Sequence, residues 1–164
     1  MMAMKLRFSR QSPVAKMISI QEHDFDVGEE YKALVADDTA AGAVVTFVGR
    51  VRDLNLERNV LGLHLEHYPG MTEKSLQAIV DEAQSRWKIL RYKIIHRIGD
   101  LRLGDNIVFV GVTSAHREDA FSSADFLMDY LKTRAPFWKK ELTDQGNVWI
   151  ESQEKDANAA KRWE

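Results

Sequence analysis

Y-K-I-I-H-R-I-G-D-L-R-L-G-D-N-I-V-F-V-G-V-T-S, residues 92–114, reads as two strands with turns between them. Tyr92–Ile98 and Asn106–Ser114 are rich in β-branched and aromatic residues, and Gly99-Asp100 and Gly104-Asp105 supply the turn chemistry that separates them. Directly downstream, Glu118–Arg134 places Phe121, Ala124, Met128 and Leu131 at helical spacing. Strands joined by turns and followed by a helix belong to an α+β protein.

The remaining segments extend that pattern. Val27–Val35 predicts a short helix, and Ala43–Val48, bounded by Gly42 and Gly49, a buried strand. Leu61, Leu63 and Leu65 alternate with Gly62, His64 and Glu66, the period of a half-buried strand, and Asp53–Asn59 before them reads as a polar loop. Pro69-Gly70 breaks the chain, Thr72 is placed to cap a helix, and Leu76, Ile79, Val80, Ala83 and Trp87 form its apolar stripe. Asn147–Ile150 predicts a last strand and Asp156–Trp163 a terminal helix. The expected architecture is layers of helices on a mainly antiparallel sheet, in one domain spanning 17–164. The basic stretch 1–16, which lacks both acids and an apolar signal core, reads as a disordered tail.

Composition narrows the chemistry. The chain has 164 residues, a net charge of −2 and no cysteine, which excludes disulfides, thiolate metal sites and a cysteine nucleophile. No apolar run is long enough to suggest a membrane span, and a reducing cytoplasm suits the cysteine-free chain. The nucleotide-binding glycine fingerprints and the G-x-S-x-G elbow are absent, and Ser122 and Ser123 read as residues of a helix surface. Five histidines do not make a metal site: there is no H-E-x-x-H, and His64 and His67 have opposite strand parity. Neither a metal nor a cofactor is expected.

The cations are distributed unevenly for an acidic chain. L-K-T-R-A-P-F-W-K-K, residues 131–140, carries four of them and no acid. The helix macrodipole accounts for Lys132 and Arg134 in a last turn, but not for Lys139 and Lys140 beyond Pro136. Arg50 and Arg52 follow one strand, and His116 and Arg117 another. Such a set predicts an anion site, with guanidinium forks for phosphate or carboxylate and crowded lysines for acid–base work. The residues alone leave open an enzyme, a non-catalytic anion- or RNA-binding module, and an adaptor; the chain is not basic overall, which weighs against nucleic acid.

Five blocks carry a family resemblance: G-A-V-V-T-F-V-G-R-V-R (42–52), L-E-H-Y-P-G-M-T-E-K (65–74), H-R-I-G-D (96–100), V-F-V-G-V-T-S-A-H-R (108–117) and M-D-Y-L-K-T-R-A-P-F-W-K-K-E (128–141). Over residues 18–163 the chain resembles the large, catalytic subunits of molybdopterin synthase, the MoaE family. The resemblance implies an α/β-hammerhead fold and a sulfur transferase of molybdenum cofactor biosynthesis, converting cyclic pyranopterin monophosphate to molybdopterin. It implies a small ubiquitin-like partner whose C-terminal Gly-Gly thiocarboxylate brings the sulfur, and a homodimer within a heterotetramer. The matching substrate-binding positions are Arg50, Val51, Arg52, His116, Arg117, Lys132, Lys139, Lys140 and Glu141, with Lys132 and Lys139 as the catalytic pair. On that expectation Arg52, His116 and Arg117 meet the lysines in one pocket; Phe47 and Met128 read either as its lining or support or, more simply, as plain core. Gln153 stands where a relative has arginine.

Overall fold

The strand pair at residues 92–114 is the centre of the molecule. β5 (Arg91–Arg97) and β7 (Asn106–Ser114) run antiparallel, with Tyr92 opposite Val112 and Ile95 opposite Phe109. The computed structural model describes residues 17–55, 57–151 and 154–164; the expectations for 1–16 and Gln153 lie outside the described residues. β1 (Ile18–Gln21) adds to β5 in parallel and β2 (Ala43–Arg50) to β7 antiparallel, giving a four-stranded sheet in the order β1-β5-β7-β2.

Side-chain alternation on this sheet builds two cores. Ile94, Val108, Val110 and Val112 pack with Leu76, Ile79, Val80 and Ala83 of α2 (Met71–Arg86) and with Phe126, Leu127 and Leu131 of α3 (Arg117–Thr133). The opposite parity sends Ile95 and Phe109 to the other face with Phe25. There α1 (Val27–Val35) approaches so closely that a Cβ on Gly111 would lie 2.8 Å from a Leu34 methyl, a distance that only glycine permits.

A second sheet of five strands joins β3 (Leu54–Asn55), β4 (Arg58–His67), β8 (Phe137–Thr143) and β9 (Gly146–Ile150), with β6 (Gly99–Arg102) also paired to β4. Val51, Val60, Leu63, Leu65 and Leu101 form its buried side. α4 (Glu154–Lys161) packs on α3 through Ala160, while Trp87, Phe126 and Trp163 meet edge to face. The fold is therefore α+β, with four helices and two mostly antiparallel sheets, rather than one, among the described residues.

Several expectations need correction. β2 is an edge strand, not a buried one, and Phe47 on it is 41% exposed. Residues 54–55 and 58–59 pair as a short hairpin where a polar loop was expected. In β4 the register shifts between Val60 and Gly62, so Leu61 turns outward while Val60, Leu63 and Leu65 share the buried side. Thr72 lies inside α2: its hydroxyl accepts from the Tyr68 N–H and donates to the Tyr68 carbonyl, while the Glu73 carboxylate accepts from the Gly70 N–H at the helix start. On α3, Phe121 faces solvent and Ser123 is buried, bonded to the Asp119 carbonyl, because the core face is set by Ala120, Ala124, Leu127 and Leu131. β6 and β8 occupy stretches read as turns and as a post-helical segment.

Candidate functional site

Between the two sheets, under the C-terminal half of α3, lies a cleft of about 520 Å³, within the size range of small-molecule sites. Phe47, Gly49 and Arg50 enter it from β2, Val60, Leu63 and Leu65 from β4, and Met128, Leu131 and Lys132 from α3. β8 contributes Phe137, Lys139 and Glu141, which share one face because strand side chains alternate.

Four of the predicted cations converge here. Lys139 is partly buried, and its pKa is lowered chiefly by loss of hydration, further by the neighbouring charges of Lys132 and Arg52, and against the pull of Glu141 and Asp156. Lys132 is half exposed and its Nζ lies 3.5 Å from an Asp156 carboxylate oxygen, so α4 supplies its counter-charge. Arg52 is exposed and makes no ion pair among the described residues. Arg50 lines the cleft but donates from both Nε and Nη2 to the Gly104 carbonyl, at 3.1 and 2.9 Å, which ties its guanidinium to the turn before β7. Val51 belongs to the buried side of the second sheet; its N–H and carbonyl are already bonded to Asp105 and Gly104.

Acceptors lie beside these donors. Glu141 is 2% exposed; one carboxylate oxygen accepts from the Asn55 side-chain amide. The other has no hydrogen bond, with the Arg58 guanidinium 3.8 Å away. His96 also lines the cleft, stacked on Phe137 with ring centroids 3.8 Å apart.

Three predicted residues do not meet the others within the chain. His116 and Arg117 are exposed at the N-terminal end of α3, while Lys132 is in its last turn. At 1.5 Å per residue, His116 and Lys132 are about 24 Å apart along the helix axis. The expectation of one shared pocket thus fails inside a single chain. Lys140 points to the opposite face of its sheet from Lys139, with its ammonium 5.1 Å from the Trp149 ring centre. The sequence reading treated Lys139-Lys140 as one charge run because it did not recognise β8.

His96, Asn55 and Asp156 were missed. They lie far apart in sequence; His96 opens the H-R-I-G-D block, but nothing in that block marks it as a site residue, and only the packing of β5, the β3–β4 hairpin and α4 around one cleft brings the three together. Among the described residues no cluster of histidines and carboxylates is placed to hold a metal ion, and no helix is long and apolar enough to cross a membrane.

Comparison with known proteins agrees with the five sequence blocks. The MoaE protein family model matches residues 20–134. The molybdopterin synthase catalytic subunit of Vibrio cholerae is 63% identical over 147 residues, covering 90% of this chain and 97% of the relative. Among solved structures, the molybdopterin biosynthesis MoaE protein from Burkholderia ambifaria superposes with a TM-score of 0.77 at 49% identity, over 90% of this chain and 97% of that one. A complex of subunits 1 and 2 of molybdopterin-converting factor from Helicobacter pylori shares the fold, with a TM-score of 0.71 at 22% identity, over 84% and 92% of the two chains.

Proposed function

Because this chain belongs to the MoaE family, we propose that the cleft between its two sheets is where it carries out sulfur transfer. The protein converts cyclic pyranopterin monophosphate into molybdopterin, with sulfur from the thiocarboxylate of a small ubiquitin-like partner, in molybdenum cofactor biosynthesis. A homodimer joined to two small subunits, in the cytoplasm, completes the picture.

The observation that carries the site assignment is Lys139, a partly buried amine beside two other cations and a buried carboxylate. Its lowered pKa brings the neutral form closer to physiological pH, which suits an acid–base role toward the pterin. Lys132, more exposed and paired with Asp156, is placed to hold negative charge as a tetrahedral species forms at the partner's thiocarboxylate. Arg52 supplies a free fork for phosphate, and Arg50 a second positive charge fixed at the rim. The donor sulfur belongs to the partner, so the absence of cysteine from this chain is no obstacle.

His116 and Arg117 serve the same substrate only if they come from a second copy, since α3 holds them away from their own cleft. In this reading the dimer brings one protomer's α3 N-terminus to the other's lysines. The direct test is incubation with thiocarboxylated partner and cyclic pyranopterin monophosphate, with detection of the dithiolene product. Product from the parent and none from Lys139→Ala supports the assignment; equal turnover by both refutes it.

A further inference from the structure

His96 offers the cleft a chemical function that its cations cannot supply. Its Nδ1 lies 2.8 Å from the Arg97 carbonyl oxygen, and since a carbonyl only accepts, Nδ1 carries the proton. Burial lowers the ring's pKa to about 4, so at neutral pH the imidazole is uncharged and Nε2 keeps its lone pair. Nε2 makes no hydrogen bond among the described residues, and His96 is part of the cleft lining. The ring cannot turn freely: Phe137 lies against it with an interplanar angle of 16°.

Lysine ammonium and arginine guanidinium groups only donate hydrogen bonds. They bind a phosphate but cannot receive the N–H groups of a heterocycle. We propose that His96 is a specificity-determining residue for the pterin ring, its Nε2 accepting a ring N–H while the cations hold the phosphate; the proposal rests on the function given above. The substrate is thereby bound by two chemistries: donors for its anionic group and an acceptor for its heterocycle.

The test is isothermal titration of the full chain with two probes, neopterin monophosphate and ribose 5-phosphate. His96→Phe keeps an aromatic ring against Phe137 and removes the acceptor, whereas His96→Gln restores an acceptor oxygen. Loss of one buried hydrogen bond predicts about a tenfold weaker Kd for the pterin probe in His96→Phe, with the sugar phosphate unchanged. His96→Gln should bind the pterin probe more tightly than His96→Phe. Equal losses for both probes would assign His96 a general structural role and overturn the proposal, as would unchanged pterin binding in His96→Phe or no recovery in His96→Gln. If the parent binds no pterin phosphate, the proposed function itself fails; if it binds and His96→Phe binds equally well, only this inference does.

Discussion

His96 also makes a prediction about stability that needs no substrate. Its pKa falls from the ordinary 6.5 to about 4 on folding, because the ring is buried and His67 adds like charge, while the Arg97 carbonyl opposes the change only in part. Between those two values the unfolded chain binds a proton that the folded chain refuses. Stability therefore rises with pH across this window, and falls as acid is added from pH 6.5 toward 4. The separation of about 2.5 units, at 1.36 kcal/mol each, gives a ceiling of roughly 3 kcal/mol, with a limiting slope of about 1.4 kcal/mol per pH unit. Replacing His96 with Phe removes this one proton and leaves the other groups to titrate. The measurement is urea unfolding followed by tryptophan fluorescence, for parent and variant, from pH 4.5 to 8 at constant ionic strength. The difference between their unfolding free energies should be constant above about pH 7 and shift in favour of the variant below pH 6.5. A difference that stays flat across the whole range would show that His96 titrates normally and refute the lowering of its pKa by burial.

Further outcomes follow from the same geometry. Mixed dimers of Lys132→Ala with a His116→Ala/Arg117→Ala double variant should regain activity, because one of their two composite sites is intact; inactivity of the mixture, with dimer exchange verified, would remove His116 and Arg117 from the site. Leu127→Ala should cost about 2–5 kcal/mol in urea unfolding, since Leu127 is fully buried between α3 and the first sheet. A chain starting at Met17 should keep its melting temperature and turnover, because β1 begins at Ile18 and the Met17 carbonyl already accepts from the Ile94 N–H; a large loss of either would show that residues 1–16 contribute.

How much of this was legible in the sequence depended on whether the signal was local. α1 and β7 were read to the residue, and β5 and α3 to within one, because apolar periodicity and flanking turn residues mark them without reference to anything else. The failures share a cause. The apolar run of β2 looks like a buried strand, yet its exposure is set by its place at the sheet edge. Leu61 fits the alternation of its neighbours, but a bulge fixed by pairing with β8 turns it outward. In the site, the cationic blocks were visible as composition, while Asn55 and Asp156 carry no local mark, and His96 stands in a quoted block with no sign of a role in the cleft. Their roles arise from which elements surround the cleft, and that is a property of topology.

The same distinction separates two neighbouring lysines. In sequence Lys139 and Lys140 are equivalent, and a charge count gives them equal weight. Strand alternation in β8 does not: Lys139 shares the cleft face with Glu141, whereas Lys140 lies over the Trp149 ring on the outer face. Lys139→Ala should therefore reduce turnover by about 10²–10⁴-fold, the range expected for a lost acid–base group. Lys140→Ala should keep turnover within about threefold of the parent, since an exposed cation–π contact contributes only about 0.5–1 kcal/mol and does not face the cleft. The fold should tolerate both changes. Lys139 is disfavoured as a cation by its surroundings, so at neutral pH its removal relieves a cost, and Lys139→Met should melt no lower than the parent. Parallel measurement of turnover and melting temperature decides the matter. Equal activity loss in the two alanine variants would mean that the charge run acts as a whole, and that the two-faced strand does not determine which lysine does the chemistry.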